Sequence, residues 1–318
     1  MASINSEWFR QKMSRLESTL RLPRMIWFGS LLFFERPMIP WLLSGLAIWL
    51  ISKNFLMSII TGFLFALGYE IFTLNKRHTQ VVLPRHLKNV DIIRELYNKS
   101  KSHLGNTLIR DIEISVDKAS WDTVNIGYIG VSSWGWEIIF RILYPLLTKS
   151  RIPYQHLLIG FPNKTTEADQ KLWEVAHTKD LAKQRKILTR YLDEYGSRVD
   201  DVDLMYPTLR ERPAVVQEFL KLYKKIQSPE IRQLRAREIR QRSELQISAQ
   251  LRIPPFIFKR LLKRVQDAVR LREDRRFYAF EGDYYLRQML LRLANLSGIS
   301  QSQLFKMSWQ EVKNEAIR

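Results

Sequence analysis

The sequence predicts a mainly α protein in which an N-terminal membrane helical hairpin is followed by an irregular helical domain. Two observations support this fold class. Between residues 38 and 74 almost every side chain is apolar, in two consecutive blocks of helical length. From about residue 80 the chain becomes polar and charged, with apolar residues recurring at helical spacing. We therefore expect an amphipathic helix plus hairpin over residues 1–78 and a helical soluble domain over residues 79–318.

The composition indicates a folded and strongly basic protein. Hydrophobic residues make up 46% of the 318 positions, and the 51 Lys and Arg exceed the 32 Asp and Glu, giving a net charge of +19. Such an excess indicates an anionic surface nearby, which is membrane phospholipid, nucleic acid or an acidic partner. Because there is no cysteine, disulfides and thiolate metal sites are excluded.

The start of the chain predicts a helix that lies at a membrane interface. Trp8, Phe9, Met13, Leu16 and Leu20 recur at helical spacing among Arg and Lys side chains. No small-residue cleavage site follows a short apolar core, so a cleavable signal peptide is not predicted.

The two apolar blocks predict a helical hairpin. Met38–Ser52 and Phe55–Leu74 flank a turn at Lys53-Asn54. A membrane-spanning helix needs roughly 20 apolar residues, with about 17 as the lower limit. The second block qualifies if Glu70 lies near a headgroup, whereas the first is short and contains Pro40. We expect the hairpin either to span the bilayer or to dip into one leaflet, and the alternative is a pair of buried core helices.

Aromatic and basic residues of this region predict the lipid contacts and the orientation. The side chains expected to contact the membrane are Trp41, Trp49, Phe55, Phe63 and Phe65. Cations flank the hairpin on both sides: Arg21, Arg24 and Arg36 before it, and Lys76, Arg77, Arg85 and Lys88 after it. By the positive-inside rule both ends are cytoplasmic, which places the soluble domain on the cytoplasmic side of a membrane.

Local signals divide the remaining chain into helices. Thr107–Val124 contains a short alternating stretch that indicates a strand or a helix edge, and Ser132–Leu147 predicts a buried helix, with a membrane-contacting helix as the alternative. Thr166 and Asp169 indicate a capping pair. The other expected boundaries are a helix over Leu181–Tyr195 ended by Gly196, helix starts at Pro213, Pro229 and Pro255, and a last long helix through Leu286 and Leu296 ended by Gly298.

No complete catalytic site is recognisable in the sequence. There is no Walker A loop, Gly-x-Gly-x-x-Gly fingerprint or Gly-x-Ser-x-Gly elbow. The five histidines are scattered without metal-ligand spacing. Asp200, Asp201 and Asp203 form the densest acidic group, where a solvated acidic loop is favoured over a magnesium site. We therefore predict no catalytic residue, no metal site and no cofactor.

A basic region lies in the C-terminal half. Lys221–Arg276 carries 17 Lys and Arg against six Asp and Glu, a net of +11. Its predicted basic surface consists of Arg232, Arg235, Arg237 and Arg240. This surface suits lipid headgroups or a nucleic-acid groove, and the alternative is a solvated helix face with intrahelical ion pairs.

Four segments of the soluble half resemble the middle region of phosphoenolpyruvate-synthase-like proteins. Leu157–Ala176 has the sequence LLIGFPNKTTEADQKLWEVA, which is similar to that family's Leu-Leu-x-Gly-Leu-Pro-Asn-x-Thr-x-Glu…Leu-Trp segment. Tyr191–Pro213, YLDEYGSRVDDVDLMYPTLRERP, is similar to its Tyr-Gly-His-Arg…Asp-Leu-x-x-Pro segment. Leu271–Ala294, LREDRRFYAFEGDYYLRQMLLRLA, resembles its Leu-Arg-Glu-x-x-Arg-Phe…Leu-Arg helix. Leu304–Val312, LFKMSWQEV, resembles the segment that closes the same region.

The resemblance implies a helical module without chemistry of its own. In that family the region links an ATP-grasp domain to a swivelling phosphohistidine domain. In the rifampicin phosphotransferase branch it forms the module that receives the hydrophobic acceptor. This chain lacks the ATP-grasp half and the Gly-rich Ser-His-x-Ala segment, and Ser197 replaces the family's His.

The leading hypothesis is a membrane-anchored, non-catalytic module that binds a hydrophobic acceptor or docks separate phosphotransfer subunits. The resemblance implies that Arg198 or Arg275 lies near the acceptor's phosphate, with Asp203 in the same substrate-binding set. The alternative for both arginines is interhelical ion pairing to Asp203 and Glu273. The second hypothesis is a structural or assembly subunit of a membrane complex that kept the fold and lost the chemistry. The expected partners are membrane lipid and other protein subunits, and nucleic acid is the least favoured.

Overall fold

Helices form the regular structure of the chain. The computed structural model describes residues 13–52, 55–198, 203–278 and 280–317, where the extended regular elements are helical and an isolated bridge joins Thr148 and Leu251. The mainly α prediction is confirmed over these ranges. The predicted features at Trp8 and Phe9, at the Lys53-Asn54 turn, and at Asp200 and Asp201 lie outside the described residues.

The N-terminal part is a nearly continuous series of helices. Its elements are α1 (Arg15–Leu20), α2 (Leu22–Phe33), a first π turn (Phe34–Met38), α3 (Ile39–Ser52), α4 (Phe55–Arg77), a second π turn (His78–Val82) and α5 (Leu83–Ser100). Because the π turns continue the helices on either side, α2 leads directly into α3 and α4 leads directly into α5.

Helix α1 lies in the protein core. Leu16 and Leu20 are fully buried in one hydrophobic cluster with Leu290. Arg21, which follows, is also buried and pairs with Asp283. The predicted interfacial helix is therefore wrong for its described part, because the cation expected to face lipid phosphate has an internal carboxylate partner instead.

Helices α3 and α4, called the hairpin below, pack against each other as two arms, but no described helix supports the predicted membrane hairpin. They run antiparallel, since Arg36 before the first arm donates to Thr73 near the end of the second, at 2.6 Å. The arms approach closely where both lack side chains: a Cβ on Gly62 would lie 2.9 Å from the Cα of Gly45. The indole of Trp41 donates to a carbonyl across this contact. Small residues permit such close packing of apolar helices.

The outer faces of the hairpin are exposed. Ile51 is 86% exposed and Phe55 is 71% exposed, so the alternative of two buried core helices does not hold. Within the described residues, however, no helix combines the length and the apolarity needed to cross a membrane. Helix α3 has 14 residues, which extend about 21 Å against a hydrocarbon core of roughly 30 Å. The predicted transmembrane helix is thus not supported.

One long helix, α6 (Gly105–Leu147), organises the rest of the molecule. Its 43 residues extend about 65 Å. Helix α6 includes both Thr107–Val124, which was expected to contain a strand or a helix edge, and the helix predicted over Ser132–Leu147. In its C-terminal half, Trp136 and Phe140 are buried while Trp134 and Ile142 are exposed on the other side. The predicted burial therefore holds for one face.

The C-terminal half consists of shorter helices, of which α11, α12 and α14 pack on α6. These are a 3₁₀ turn (Tyr154–Leu158), α7 (Lys164–His177), α8 (Leu181–Tyr195), a second 3₁₀ turn (Leu209–Glu211), α9 (Pro213–Tyr223), α10 (Pro229–Ser248), α11 (Pro255–Tyr278), α12 (Glu281–Leu296), α13 (Gln301–Leu304) and α14 (Trp309–Ile317). The expected starts at Pro213, Pro229 and Pro255 are confirmed.

Three hydrophobic clusters form the core. The first joins α1, α5, the N-terminal half of α6, α12 and α14. The second joins the C-terminal half of α6 to α11. The third joins α7, α8 and α9. Since α1 belongs to the first cluster, part of the predicted 1–78 unit packs with the helical domain.

Candidate functional site

The segment Leu157–Ala176, the first of the resembling segments, forms one wall of a cleft. It leaves the Tyr154–Leu158 turn, passes through Gly160 and enters α7. The side-chain oxygen of Asn163 accepts from the backbone N–H of Thr166 at 2.9 Å, and the hydroxyl of Thr166 accepts from the N–H of Asn163 at 3.2 Å. The capping pair is therefore Asn163 with Thr166, three residues before the predicted pair.

Gly160 allows this segment to touch the backbone of α10. Its φ is +73°, and a Cβ there would lie 2.5 Å from the backbone nitrogen of Arg237. Both the backbone conformation and the close approach require glycine. The resembling segment thus fixes the position of α10.

Arg240 strengthens the same contact. Its guanidinium lies 3.8 Å from the ring centre of Phe161 and donates to the carbonyl of Ile159 at 3.2 Å. Burial lowers the pKa of Arg240, with Glu244 opposing the shift. This side chain therefore joins α10 to the segment before α7.

The cleft between α7, α10 and α11 has a volume of about 590 Å³. Charged and polar side chains of both signs line it, among them Asn163, Lys164, Glu167, Glu230, Arg237 and Asp274. Its volume lies within the range of small-molecule sites.

Asp274 closes the end of this cleft nearest α7. Its carboxylate accepts from the backbone N–H of Lys164 at 2.7 Å. Burial raises the pKa of Asp274, and the hydrogen bond from Lys164 opposes that shift. The first N–H of α7 is thus already satisfied by protein.

The predicted substrate-binding residues contact three different parts of the structure. Arg198 lies 5.0 Å from the ring centre of Phe277. Asp203 is buried and accepts from the backbone N–H and hydroxyl of Ser14, at 2.6 and 3.0 Å. Arg275 packs against Gly130 of α6, where a Cβ would clash with its guanidinium. The role of these residues in acceptor binding stays a prediction.

The predicted basic surface lies along α10. Arg232, Arg235 and Arg237 are exposed, whereas Arg240 is partly buried against Phe161. Three of the four cations are therefore available to an anionic partner.

The predicted membrane-contacting residues lie in the hairpin. Trp41, Trp49 and Phe55 are exposed. Phe63 and Phe65 belong to α4, but their side chains lie outside the described residues.

Two polar clusters escaped the sequence analysis. The first is buried: the guanidinium of Arg21 donates to Asp283 at 3.0 Å and lies 3.4 Å from Glu17. The second is a pocket at the base of the hairpin, where Arg36 and Arg77 meet. The sequence signal for this pocket is the set of cations at both ends of the hairpin, but the same cations also indicate orientation in a membrane and do not by themselves specify a pocket.

The described residues do not include a group of three or more His, Asp and Glu side chains placed to hold a metal ion.

Comparison with known families matches the middle of the chain. The model of the rifampicin phosphotransferase fourth domain matches residues 125–273. This range covers the second half of α6, helices α7 to α10 and most of α11, including most of the cleft. The predicted resemblance to a phosphoenolpyruvate synthase and rifampicin phosphotransferase-like helical domain is therefore confirmed. Leu304–Val312 and nearly all of Leu271–Ala294 lie beyond the match.

A curated protein also shows similarity. Chondramide synthase of Chondromyces crocatus is 33% identical in an alignment that covers 28% of this chain and 3% of the synthase. The chain thus spans a very small part of that protein's length.

Proposed function

We propose that this chain is a membrane-associated, non-catalytic module of a phosphoenolpyruvate-synthase-like system. It holds a hydrophobic acceptor or docks separate phosphotransfer subunits, with its helical domain on the cytoplasmic side. The observation that carries the proposal is the exposed apolar hairpin, which occurs in the same chain as a rifampicin phosphotransferase-like domain.

The hairpin exposes large apolar side chains along both arms. These are Leu42, Leu43, Leu46, Leu50, Ile51, Phe55, Leu56, Met57 and Ile60. A contiguous apolar patch beyond a few hundred Å² marks a site of interaction with protein or membrane. Burying the part of these side chains that is exposed would stabilise an assembly by roughly 25 cal/mol for each Å² of apolar surface removed from water.

The cations at the base of the hairpin favour a membrane as the occupant. Arg36, Lys76, Arg77 and Arg85 lie where the arms join the helical domain. The apolar arms are suited to insertion among lipid acyl chains. The cations at the base of the arms would then lie at the level of the anionic headgroups.

The test is membrane fractionation of the full chain and of two matched variants. In the hairpin variant Leu43, Ile51 and Phe55 are changed to Ser. In the control, Ile138, Ile142 and Leu146, which are exposed on α6, are changed to Ser. We expect the wild type and the control to stay in the membrane fraction at about 1 M salt, where charges are screened beyond roughly 3 Å. The hairpin variant should be released.

Quantitative release of the wild type by salt would contradict membrane insertion. Equal release of both variants would contradict the assignment of attachment to the hairpin.

A role as an assembly subunit is the second candidate. It is favoured by the apolar stripe on α6, where Val131, Trp134, Ile138, Ile142 and Leu146 are exposed at helical spacing. A photo-crosslinking residue at Ile142 should capture a membrane-complex subunit if this role holds. It should capture a kinase or phosphohistidine subunit if the first role holds.

A further inference from the structure

A pocket at the base of the hairpin combines cations with apolar walls. It has a volume of about 580 Å³ and lies between α2, the end of α4 and the middle of α6. Its cations are Arg36, Lys76, Arg77 and Arg85. It is separate from the cleft beside α7, with which it shares no lining residue.

Neighbouring side chains hold two of the cations, Arg36 and Arg77, in place. Arg36 donates to the hydroxyl of Thr73 at 2.6 Å, and its guanidinium lies 5.2 Å from the ring centre of Tyr69. Arg77 donates to the side-chain oxygen of Asn125 at 2.8 Å. Because these contacts restrict the side chains before a ligand arrives, less conformational entropy is lost on binding.

A third cation of the pocket, Arg85, is also held by a neighbouring side chain. Arg85 lies over the indole of Trp121, 4.2 Å from the ring centre. Guanidinium groups stack on aromatic rings while their N–H groups still point outward, and they match the geometry of phosphate oxygens. Lys76 adds an exposed ammonium beside them.

The remaining walls are apolar. Phe28, Leu31, Leu32 and Val81 line the pocket together with Trp121. Helix α4 runs from the pocket residues Tyr69 and Thr73 back to the exposed Leu56 and Ile60. The site thus places charge near one end of α4, while the other end of the same helix exposes apolar side chains.

Both π turns border this pocket. The first contains Arg36, and the second contains Gln80 and Val81. A π turn adds one residue to a helical turn and so changes the direction of the following side chains, and such turns occur frequently at functional sites. Here they bring cations from both sides of the hairpin to one pocket.

We propose that this pocket binds the phosphate headgroup of an anionic phospholipid, whose acyl chains lie along the hairpin. The exposed Lys76 and Arg85 complement the phosphate charge, and the apolar walls accommodate the glycerol and first acyl carbons. The proposal rests on the proposed function, because the hairpin must meet a bilayer to present such a lipid to the pocket.

The test compares two charge-matched variants of the full chain. The pocket variant is Lys76→Gln with Arg85→Gln, which leaves the internally bonded Arg36 and Arg77 intact. The control is Lys186→Gln with Arg190→Gln, two exposed residues of α8 that remove the same charge. Binding is measured to neutral phosphatidylcholine vesicles, to vesicles that also contain phosphatidic acid, to a short-chain phosphatidic acid in solution, and to inorganic phosphate.

We expect the affinity of the pocket variant for the anionic vesicles to fall about 30-fold, with a much smaller change in the control. The short-chain phosphatidic acid should bind the wild type more tightly than inorganic phosphate does. An equal fall in both variants would overturn the proposal, because it would show attraction by overall charge. Equal binding of inorganic phosphate and the short-chain lipid would overturn the lipid assignment.

The two proposals fail in different ways. If the wild type binds neither kind of vesicle but still binds the short-chain lipid through the pocket, membrane attachment fails and the pocket stands. If it binds both kinds of vesicle equally, attachment stands and the pocket proposal fails. A photoactivatable phosphatidic acid on the wild type adds a readout independent of any variant. Adducts should lie within residues 28–36, 69–85 and 121–125, and adducts confined to other parts of the chain would overturn the proposal.

Discussion

At the scale of single residues, the interior holds a charge network that ties the N-terminal helix to the domain. Arg21 is 1% exposed and contacts Asp283 and Glu17. Burial disfavours its charge, but these carboxylates more than compensate, so that the pKa of Arg21 is raised. Helices α1 and α12 are far apart in sequence, and this pair contributes to holding them together.

Removing the buried guanidinium should destabilise the fold strongly. In Arg21→Met the carboxylate of Asp283 stays buried without its cation, which costs about 3–5 kcal/mol. The matched control is Arg15→Met, whose partner Glu311 is exposed, where the loss should be below about 1 kcal/mol. Urea unfolding followed by circular dichroism measures both. Equal losses would show that Arg21 contributes no more than a surface ion pair.

Glu17 should make stability depend on pH. Burial raises its pKa from 4.5 to about 7, while Arg21 opposes the shift. A raised carboxyl pKa means that the folded state keeps a proton which the unfolded state releases, so stability falls as the pH rises from 4.5 to 7. Glu17→Gln removes this titration. The variant should gain about 2–3 kcal/mol relative to the wild type between pH 4.5 and pH 8. A difference in unfolding free energy that is constant with pH would contradict this.

At the scale of elements, proline and glycine in the sequence predict where helices begin and end, but they do not predict that a long helix such as α6 continues without a break. The starts at Pro213 and Pro229 were predictable because proline fixes φ and lacks the N–H that a first turn leaves unused. The continuity of α6 was not predictable, because Gly127 and Gly130 lie within it and indicate a break. Packing overrides them, since the missing side chain of Gly130 leaves room for Arg275.

The candidate sites were only partly predictable for a related reason. The segment with Gly160 was recognisable from its sequence, but the cleft also needs α10 and Asp274, which are distant in the chain. Likewise, Arg36 and Arg77 were visible as flanking cations. Their meeting in one pocket depends on the antiparallel arms and the π turns, which no local pattern specifies.

Adding a single Cβ at Gly160 should disturb the contact between the Leu157–Ala176 segment and α10 and so lower the free energy of unfolding. In Gly160→Ala the alanine would have to adopt a positive φ, and its Cβ would lie 2.5 Å from the backbone nitrogen of Arg237. Gly298→Ala is the matched control, because its φ is +68° and nothing lies within 4 Å of the added carbon. We expect a loss of about 1–2 kcal/mol for Gly298→Ala from conformation alone. Gly160→Ala should cost clearly more in chemical unfolding. Equal losses would mean that α10 moves aside freely.

At the scale of the whole molecule, two of the three core clusters include residues of α6, while the hairpin arms pack mainly on each other. The arms begin and end close together, because Arg36 bonds to Thr73. The domain that resembles the rifampicin phosphotransferase fourth domain therefore has its hydrophobic clusters largely independent of the arms.

Deleting the arms should leave a folded remainder. We expect a variant in which Pro37–Leu74 is replaced by a short Gly-Ser linker to lose helical signal only in proportion to the residues removed, and to melt cooperatively. Circular dichroism with a thermal scan measures this. An unfolded or non-cooperative remainder would show that the hairpin belongs to the core.

The central claim is that the hairpin enters a bilayer while the helical domain stays outside it. Because the chain has no cysteine, a single cysteine at Ile51 or at Ile142 can carry an environment-sensitive fluorophore without background. With anionic vesicles, the fluorophore at residue 51 should shift to the blue and be quenched by lipids brominated on their acyl chains. The fluorophore at residue 142, on the exposed face of α6, should stay unchanged. An unchanged signal at residue 51, or equal quenching at both positions, would contradict the account.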